Sequence, residues 1–80
     1  MADNDVVQRV IKVTARVLSL DPETIKAEDS FVFDLGAESV QSVELVASFE
    51  QEFGIEMDED AALAVDTVNG AADFIQKYLG

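Results

Sequence analysis

Ser39 follows Asp34-Leu35-Gly36-Ala37-Glu38 and heads an apolar-periodic stretch, so its hydroxyl falls where a loop turns into a helix. Two chemistries suit a serine there. Its oxygen can cap the helix by accepting a first-turn amide, the role of most serines at such positions. Alternatively it can be modified, because a helix N-terminus favours a phosphate through free N–H groups and the dipole, and a glycine-containing loop leaves the hydroxyl accessible. On physics alone the cap reading leads. A second cluster, Asp58-Glu59-Asp60, offers oxygen ligands, yet a calcium loop counted from Asp58 meets Leu63 where glycine belongs and Asn69 where glutamate belongs. These acids read as helix caps on a solvated face, with no specific metal site. Hydrolysis fares worse. No His can activate Ser39, and no Gly-x-Ser-x-Gly elbow is present. A carboxylate pair needs a cleft that a small bundle hardly offers. The chain is not expected to be an enzyme.

Charge narrows the partners. Asp and Glu number 17 against 5 Lys and Arg, a formal net of -12 over 80 residues. Such a polyanion repels phosphate backbones and anionic headgroups, which puts nucleic acid and membrane surfaces last among partners and favours basic protein patches. With no Cys and no His, disulfides, thiol nucleophiles and the commonest transition-metal ligands are excluded too. The start, Met1-Ala-Asp-Asn-Asp, lacks the positive, apolar pattern of a secretory signal, and no apolar run is long enough to span a bilayer. One domain over residues 1–80, monomeric, soluble and cytoplasmic, is expected.

The elements that position Ser39 follow from period and breakers. From Asp5 to Leu18 the apolar residues Val6, Val7, Val10, Ile11, Val13, Val17 and Leu18 recur at helical spacing, with Asp5 and Gln8 as a capping pair. Leu20 to Ala37 is a long connection. It holds one turn of helix at Asp21-Pro22-Glu23, a turn at Asp29-Ser30 and the positive-φ candidate Gly36. Leu20, Ile25, Phe31, Val32 and Leu35 are expected to pack it down. The second helix runs from Glu38 or Ser39 to about Phe53 and stops at Gly54, with Leu45, Val46, Phe49 and Phe53 as its core arc. Val40 and Ala47 lie outside that arc among Glu44, Glu50 and Gln51, a small apolar spot on an acidic face. A short helix through Ala61–Ala64 follows. A last helix, capped by Asp66 or Thr67, carries Val68, Ala71, Ala72, Ile75 and Leu79 at spacings of three, four and seven, and Gly70 inside it costs about 1 kcal/mol relative to Ala. The expected fold is all-α: a four-helix bundle, three helices long and one short, with a long loop between the first two.

The run from Asp34 to Leu45 resembles the phosphopantetheine-attachment segment of acyl carrier proteins, whose consensus reads Asp-Leu-Gly-Ala-Asp-Ser-Leu and continues into a helix containing Val-Glu-Leu. The resemblance extends to the valine-rich first helix, Phe31, Phe53-Gly54-Ile55, the acidic third helix and Asp66-Thr67-Val68. It implies that a separate phosphopantetheinyl transferase attaches 4′-phosphopantetheine from coenzyme A to Ser39. The arm's thiol then holds acyl groups as thioesters for partner enzymes of fatty acid, lipid or polyketide-type biosynthesis. The missing Cys and His then make sense, since cofactor and partners supply the reactive groups. By the same resemblance, Glu38, Val40, Gln41, Glu44, Ala47, Glu50 and Gln51 meet basic partner surfaces. Phe31, Phe49, Met57, Ala62, Val65 and Ala71 line an acyl cavity.

The match is not uniform. Glu38 replaces the usual Asp, Val40 the usual Leu, and Gln41 and Gln51 stand where housekeeping fatty-acid carriers commonly have acids. Phe49 takes a core position often held by Leu. These departures point to a specialised carrier with dedicated partners. A peptidyl carrier, with its Gly-Gly-His-Ser-like run and less acidic surface, fits less well. The competing class is an acidic helical interaction module in which Ser39 is only a cap and the Val40/Ala47 spot docks a partner.

Overall fold

A computed structural model describes residues 2–80; Met1, the first residue of the acidic start, lies outside them. Helix α1 spans Asn4–Leu18, α2 Ser39–Phe53, α3 Glu59–Leu63 and α4 Val68–Leu79. Among the described residues there is no β-strand, only an isolated bridge between Ser30 and Thr67. The all-helical expectation holds, with three long helices, one short one and a long α1–α2 connection.

The valine-rich sequence of α1 forms a helix because its apolar residues gather on one face. Val6, Val10, Ile11, Val13 and Ala15 are buried there. Thr14 is buried with them, and its hydroxyl donates to the Val10 carbonyl at 2.7 Å, which satisfies the one polar group on that face. The expected Asp5/Gln8 capping pair does not form. The helix starts one residue earlier, with Asp3 at the cap position and no side-chain cap. Its start is held from α4 instead: the Ala2 amide donates to Asp73 Oδ1 at 2.8 Å and the Asp3 amide to Gln76 Oε1 at 3.3 Å. A partner 71 residues away in the chain leaves no local signal.

After α1, Asp21 caps a single 3-10 turn at Pro22–Thr24, its carboxylate accepting from the Glu23 amide at 2.9 Å. Ile25 and Phe31 are buried while Leu20 and Leu35 are half-buried, so most of the connection packs down. Val32 does not. It is half exposed, and Phe33 beside it is 86% exposed. Helix α2 ends as expected where Gly54 adopts φ +65°, a left-handed conformation that lets its amide close on the Glu50 carbonyl. Leu45, Val46 and Phe49 are buried, and Phe53 is half-buried under the Arg9 guanidinium, 4.4 Å from its ring centroid. Arg9 also bonds the Glu52 carboxylate and carbonyl, both at 2.8 Å, which ties α1 to the end of α2.

Of the two cap candidates for α4, Thr67 serves: its hydroxyl accepts from the Gly70 amide at 3.0 Å. That contact accounts for the glycine. A Cβ at residue 70 would lie 3.2 Å from both Thr67 Oγ1 and Val65 Cγ1. Leu79, the last apolar residue of that spacing, is 41% exposed at the helix end. The most fully buried large side chains, Ile75, Val10, Val13, Val68 and Thr14, all belong to α1 and α4, so the core is centred between those helices with α2 laid against them.

Candidate functional site

Ser30 organises the loop that delivers Ser39. It is buried, its amide donates to Asp34 Oδ2 at 2.7 Å, and its carbonyl accepts the amides of Asp34 and Leu35 at 3.0 Å each. Its hydroxyl donates to Asp66 Oδ1 at 2.9 Å and accepts the Phe33 amide at 3.1 Å. The Phe31 amide reaches the Asp66 carbonyl at 2.9 Å, so the knot is anchored at the entry to α4. Gly36 then turns the chain at φ +73°, where a side chain would be strained. Ala37 is buried, and its amide returns to the Phe31 carbonyl at 2.8 Å. Asp34 thus braces the loop rather than facing a ligand. The sequence marks Asp29-Ser30 as a turn but carries no sign of Ser30's pairing with residue 66.

The cap of α2 is Glu38, not Ser39. Glu38 is extended, and its amide donates to Gln41 Oε1 at 3.0 Å, one half of a capping box. Ser39 is therefore the first helical residue. It is exposed, and among the described residues its hydroxyl makes no hydrogen bond. The cap reading of Ser39 falls on that geometry. What remains is an unengaged hydroxyl at the positive end of a 15-residue helix with no acidic residue in its first turn. Such a place suits a phosphodiester: first-turn amides and the helix dipole offset its negative charge.

The seven residues expected to meet partners divide. Val40 is 72% exposed, and Glu38, Glu44, Ala47 and Gln51 are exposed as well. Gln41 and Glu50 are half-buried and already engaged. Gln41 holds the Glu38 amide, and Glu50 Oε2 accepts the Met57 amide at 2.8 Å, fixing the chain after α2. Val43, 49% exposed, was not singled out. It follows Val40 by three and precedes Ala47 by four, a spacing that continues the stripe. Phe33 was also missed, because a loop has no periodicity from which exposure can be read.

The six residues expected to line an acyl cavity come together. Phe31, Phe49, Met57, Ala62, Val65 and Ala71 all border one cavity of about 140 Å³ between the loop, α2, α3 and α4. Leu45, Val46, Phe74 and Ile75 complete its apolar wall, while Ser42 and Asp66 are the polar side chains on it. Val32 and Leu63 border it too and are half exposed, which places its opening between the loop and α3. Phe31 and Phe49 meet as a tilted pair, ring centroids 6.4 Å apart. Among the described residues no His, Cys, Asp or Glu group converges to hold a metal ion.

Residues 8–75 match the family model described as the phosphopantetheine attachment site. The chain is 48% identical over 77 residues to an acyl carrier protein of Phenylobacterium zucineum, covering 96% of this chain and 98% of that protein. It is 46% identical over 72 residues to one of Caulobacter vibrioides, covering 90% and 92%. An acyl carrier protein of Rhizobium meliloti is 45% identical over 74 residues, covering 92% and 95%.

Proposed function

We propose, for a chain that belongs to the acyl carrier proteins of the phosphopantetheine-attachment family, that Ser39 Oγ is the atom that takes the arm. The protein is a carrier: acyl groups travel on it as thioesters of covalently attached 4′-phosphopantetheine. The observation that carries the choice of Ser39 is its freedom. Glu38 does the capping, so the Ser39 hydroxyl is exposed and unengaged at the helix N-terminus. In the attachment step Ser39 Oγ forms a bond to the phosphorus of coenzyme A that bears the pantetheine. The pyrophosphate P–O bond breaks, adenosine 3′,5′-bisphosphate leaves, and the hydroxyl proton passes to a base of the transferase. This chain has no His or Cys for that work, so the transferase supplies the catalysis. The arm, when bound, supplies the thiol.

The exposed stripe of Val40, Val43 and Ala47, flanked by Glu38, Glu44 and Gln51, is read as the face that meets basic, partly apolar enzymes. The cavity bordered by Phe31, Phe49, Met57, Ala62, Val65 and Ala71 is read as the shelter for the acyl chain. The chain is read as one monomeric domain of the cytoplasm, and the departures at Glu38, Val40, Gln41 and Gln51 as the mark of dedicated partners. Among the described residues no helix is long and apolar enough to cross a membrane. Intact mass after incubation with coenzyme A and a phosphopantetheinyl transferase tests the reading. One arm should add to the natural chain and none to Ser39→Ala, whose helical circular dichroism should be unchanged. A Ser39→Ala chain that still gains mass overturns it.

A further inference from the structure

Phe33 is the most exposed large apolar side chain among the described residues, at 86%. It belongs neither to the core nor to the cavity wall, although Phe31, two residues before it, belongs to both. A single exposed apolar residue is ordinary on a monomer. Two features set this one apart. Its backbone is fixed: the Phe33 amide donates to Ser30 Oγ at 3.1 Å, and that hydroxyl donates to Asp66 Oδ1 at 2.9 Å. A ring presented on a fixed backbone loses less freedom when a partner covers it. Phe33 also stands close to Ser39. Six residues of chain reach at most about 20 Å. Here the loop doubles back, with the Gly36 amide on the Val32 carbonyl at 3.2 Å and the Ala37 amide on the Phe31 carbonyl at 2.8 Å. An interface of ordinary size buries about 800 Å² on each side, roughly 30 Å across, so one that includes Ser39 has room for Phe33.

Charge and chemistry narrow the partner. No basic residue lies between Lys26 and Lys77, and Glu28, Asp34 and Glu38 are exposed on the segment that carries Phe33. A second copy of this chain would bring the same negative field to the contact and be repelled. A basic enzyme surface would be drawn in. One enzyme has to cover this place. The transferase that loads the arm must bring its reacting phosphorus to bonding distance of Ser39 Oγ itself, whereas enzymes that handle the cargo meet a thiol at the far end of the arm.

We infer that Phe33 is an apolar anchor for that phosphopantetheinyl transferase, its ring entering an apolar pocket set in the transferase's basic surface. This rests on the carrier reading above and adds a contact on the loop before Ser39, separate from Val40, Val43 and Ala47 on α2. The ring binds the partner and takes no part in the transfer, so its loss raises KM for this chain and leaves kcat unchanged.

The test is steady-state loading of the full chain from coenzyme A by the phosphopantetheinyl transferase of the cell that makes it, followed by intact mass. Phe33→Ser should raise KM for the chain about tenfold, a factor equivalent to ~1.4 kcal/mol and near the low end for covering a Phe side chain. The melting temperature should not move, because the ring is outside the core. Phe33→Glu keeps the negative field but has no ring, and should raise KM as Phe33→Ser does. Phe33→Tyr retains the ring and should hold KM within about twofold of the natural chain, well inside the tenfold step. An unchanged KM in Phe33→Ser, or a natural KM in Phe33→Glu, overturns the inference while leaving the carrier reading intact. A natural chain that sediments as a dimer beside a monomeric Phe33→Ser also overturns it, since the ring would then hold a second copy. Failure of the natural chain to gain mass overturns both.

Discussion

The two halves of this small bundle are built to different standards. Between α1 and α4 the side chains Val10, Val13, Thr14, Val68 and Ile75 are less than 2% exposed. Around α3 and the head of α2 the packing loosens. Helix α3 buries no residue, a cavity of about 140 Å³ lies open between Val32 and Leu63, and Val32, Phe33, Val40, Val43 and Leu63 are exposed. Exposed apolar side chains in that number are what a docking face requires, and an open apolar cavity is what a sheltered ligand requires. One half supplies the stability and the other supplies room. An acyl carrier needs both, since its cargo must enter and leave without unfolding it.

Truncation on either side measures the difference, and the largest effect should come from the tight half. Ile75→Ala should cost about 2–5 kcal/mol, enough to threaten a domain with roughly 5 kcal/mol in total. Met57→Ala, at a half-buried position already beside a void, should cost about 1 kcal/mol. Urea unfolding of both variants checks this, and equal losses would break the comparison.

The loose half is nevertheless held at one point. Ser30→Ala removes the bonds to Asp66 and to the Phe33 amide and should cost about 1–2 kcal/mol. Its sharper effect should be on loading, because the same knot sets the turn into Ser39. The rate of phosphopantetheine transfer should fall several-fold at temperatures where the variant is folded. An unchanged rate would mean the site needs no such bracing.

A smaller effect tests the α4 cap, where the two halves meet. Thr67→Ala should lose about 1 kcal/mol. Gly70→Ala should fail to deliver the gain of about 1 kcal/mol that helix propensity promises, because the new Cβ crowds Thr67 Oγ1 and Val65 Cγ1 at 3.2 Å. In the Thr67→Ala background one of those obstacles is gone, and Gly70→Ala should then stabilise. Additive effects in thermal melts of the double variant would contradict this coupling.

The smallest effect concerns charge. Both ion pairs among the described residues use Arg9, at 2.8 Å to Glu52 and 3.9 Å to Asp5. With 17 acids against 5 bases on so small a body, like charges outnumber opposite ones within a Debye length. Monovalent salt should raise the melting temperature by a few degrees, below about 1 kcal/mol, and magnesium or calcium should do so at lower concentration with little selectivity. A flat response would show that the acids avoid one another.

What could be read from the sequence was mostly local. Gly54 and the apolar arc of Leu45, Val46 and Phe49 are enough to bound α2, and Pro22 after Asp21 is enough to place the turn before it. Errors arose where a distant group competed with a local one. Asp5 and Gln8 spell a cap, but Asp73 and Gln76 on α4 hold the start of α1. At the site, the motif pointed to Ser39, while the reason its hydroxyl is free was hidden in the neighbour: Glu38 takes the cap with Gln41 behind it. Phe33 could not be foreseen as exposed, since its exposure depends on how Ser30 folds the loop beneath it.

The most direct measurement is fragment mass mapping of the natural chain after loading. Ser42 is the decisive competitor. It lies one turn from Ser39, but it borders the cavity and is half-buried, whereas Ser39 is exposed at the head of the helix. If freedom at the helix N-terminus selects the site, every fragment containing residue 39 should carry the phosphopantetheine arm, and fragments beginning after it should carry none. An arm on Ser42, or divided between the two serines, would contradict the assignment.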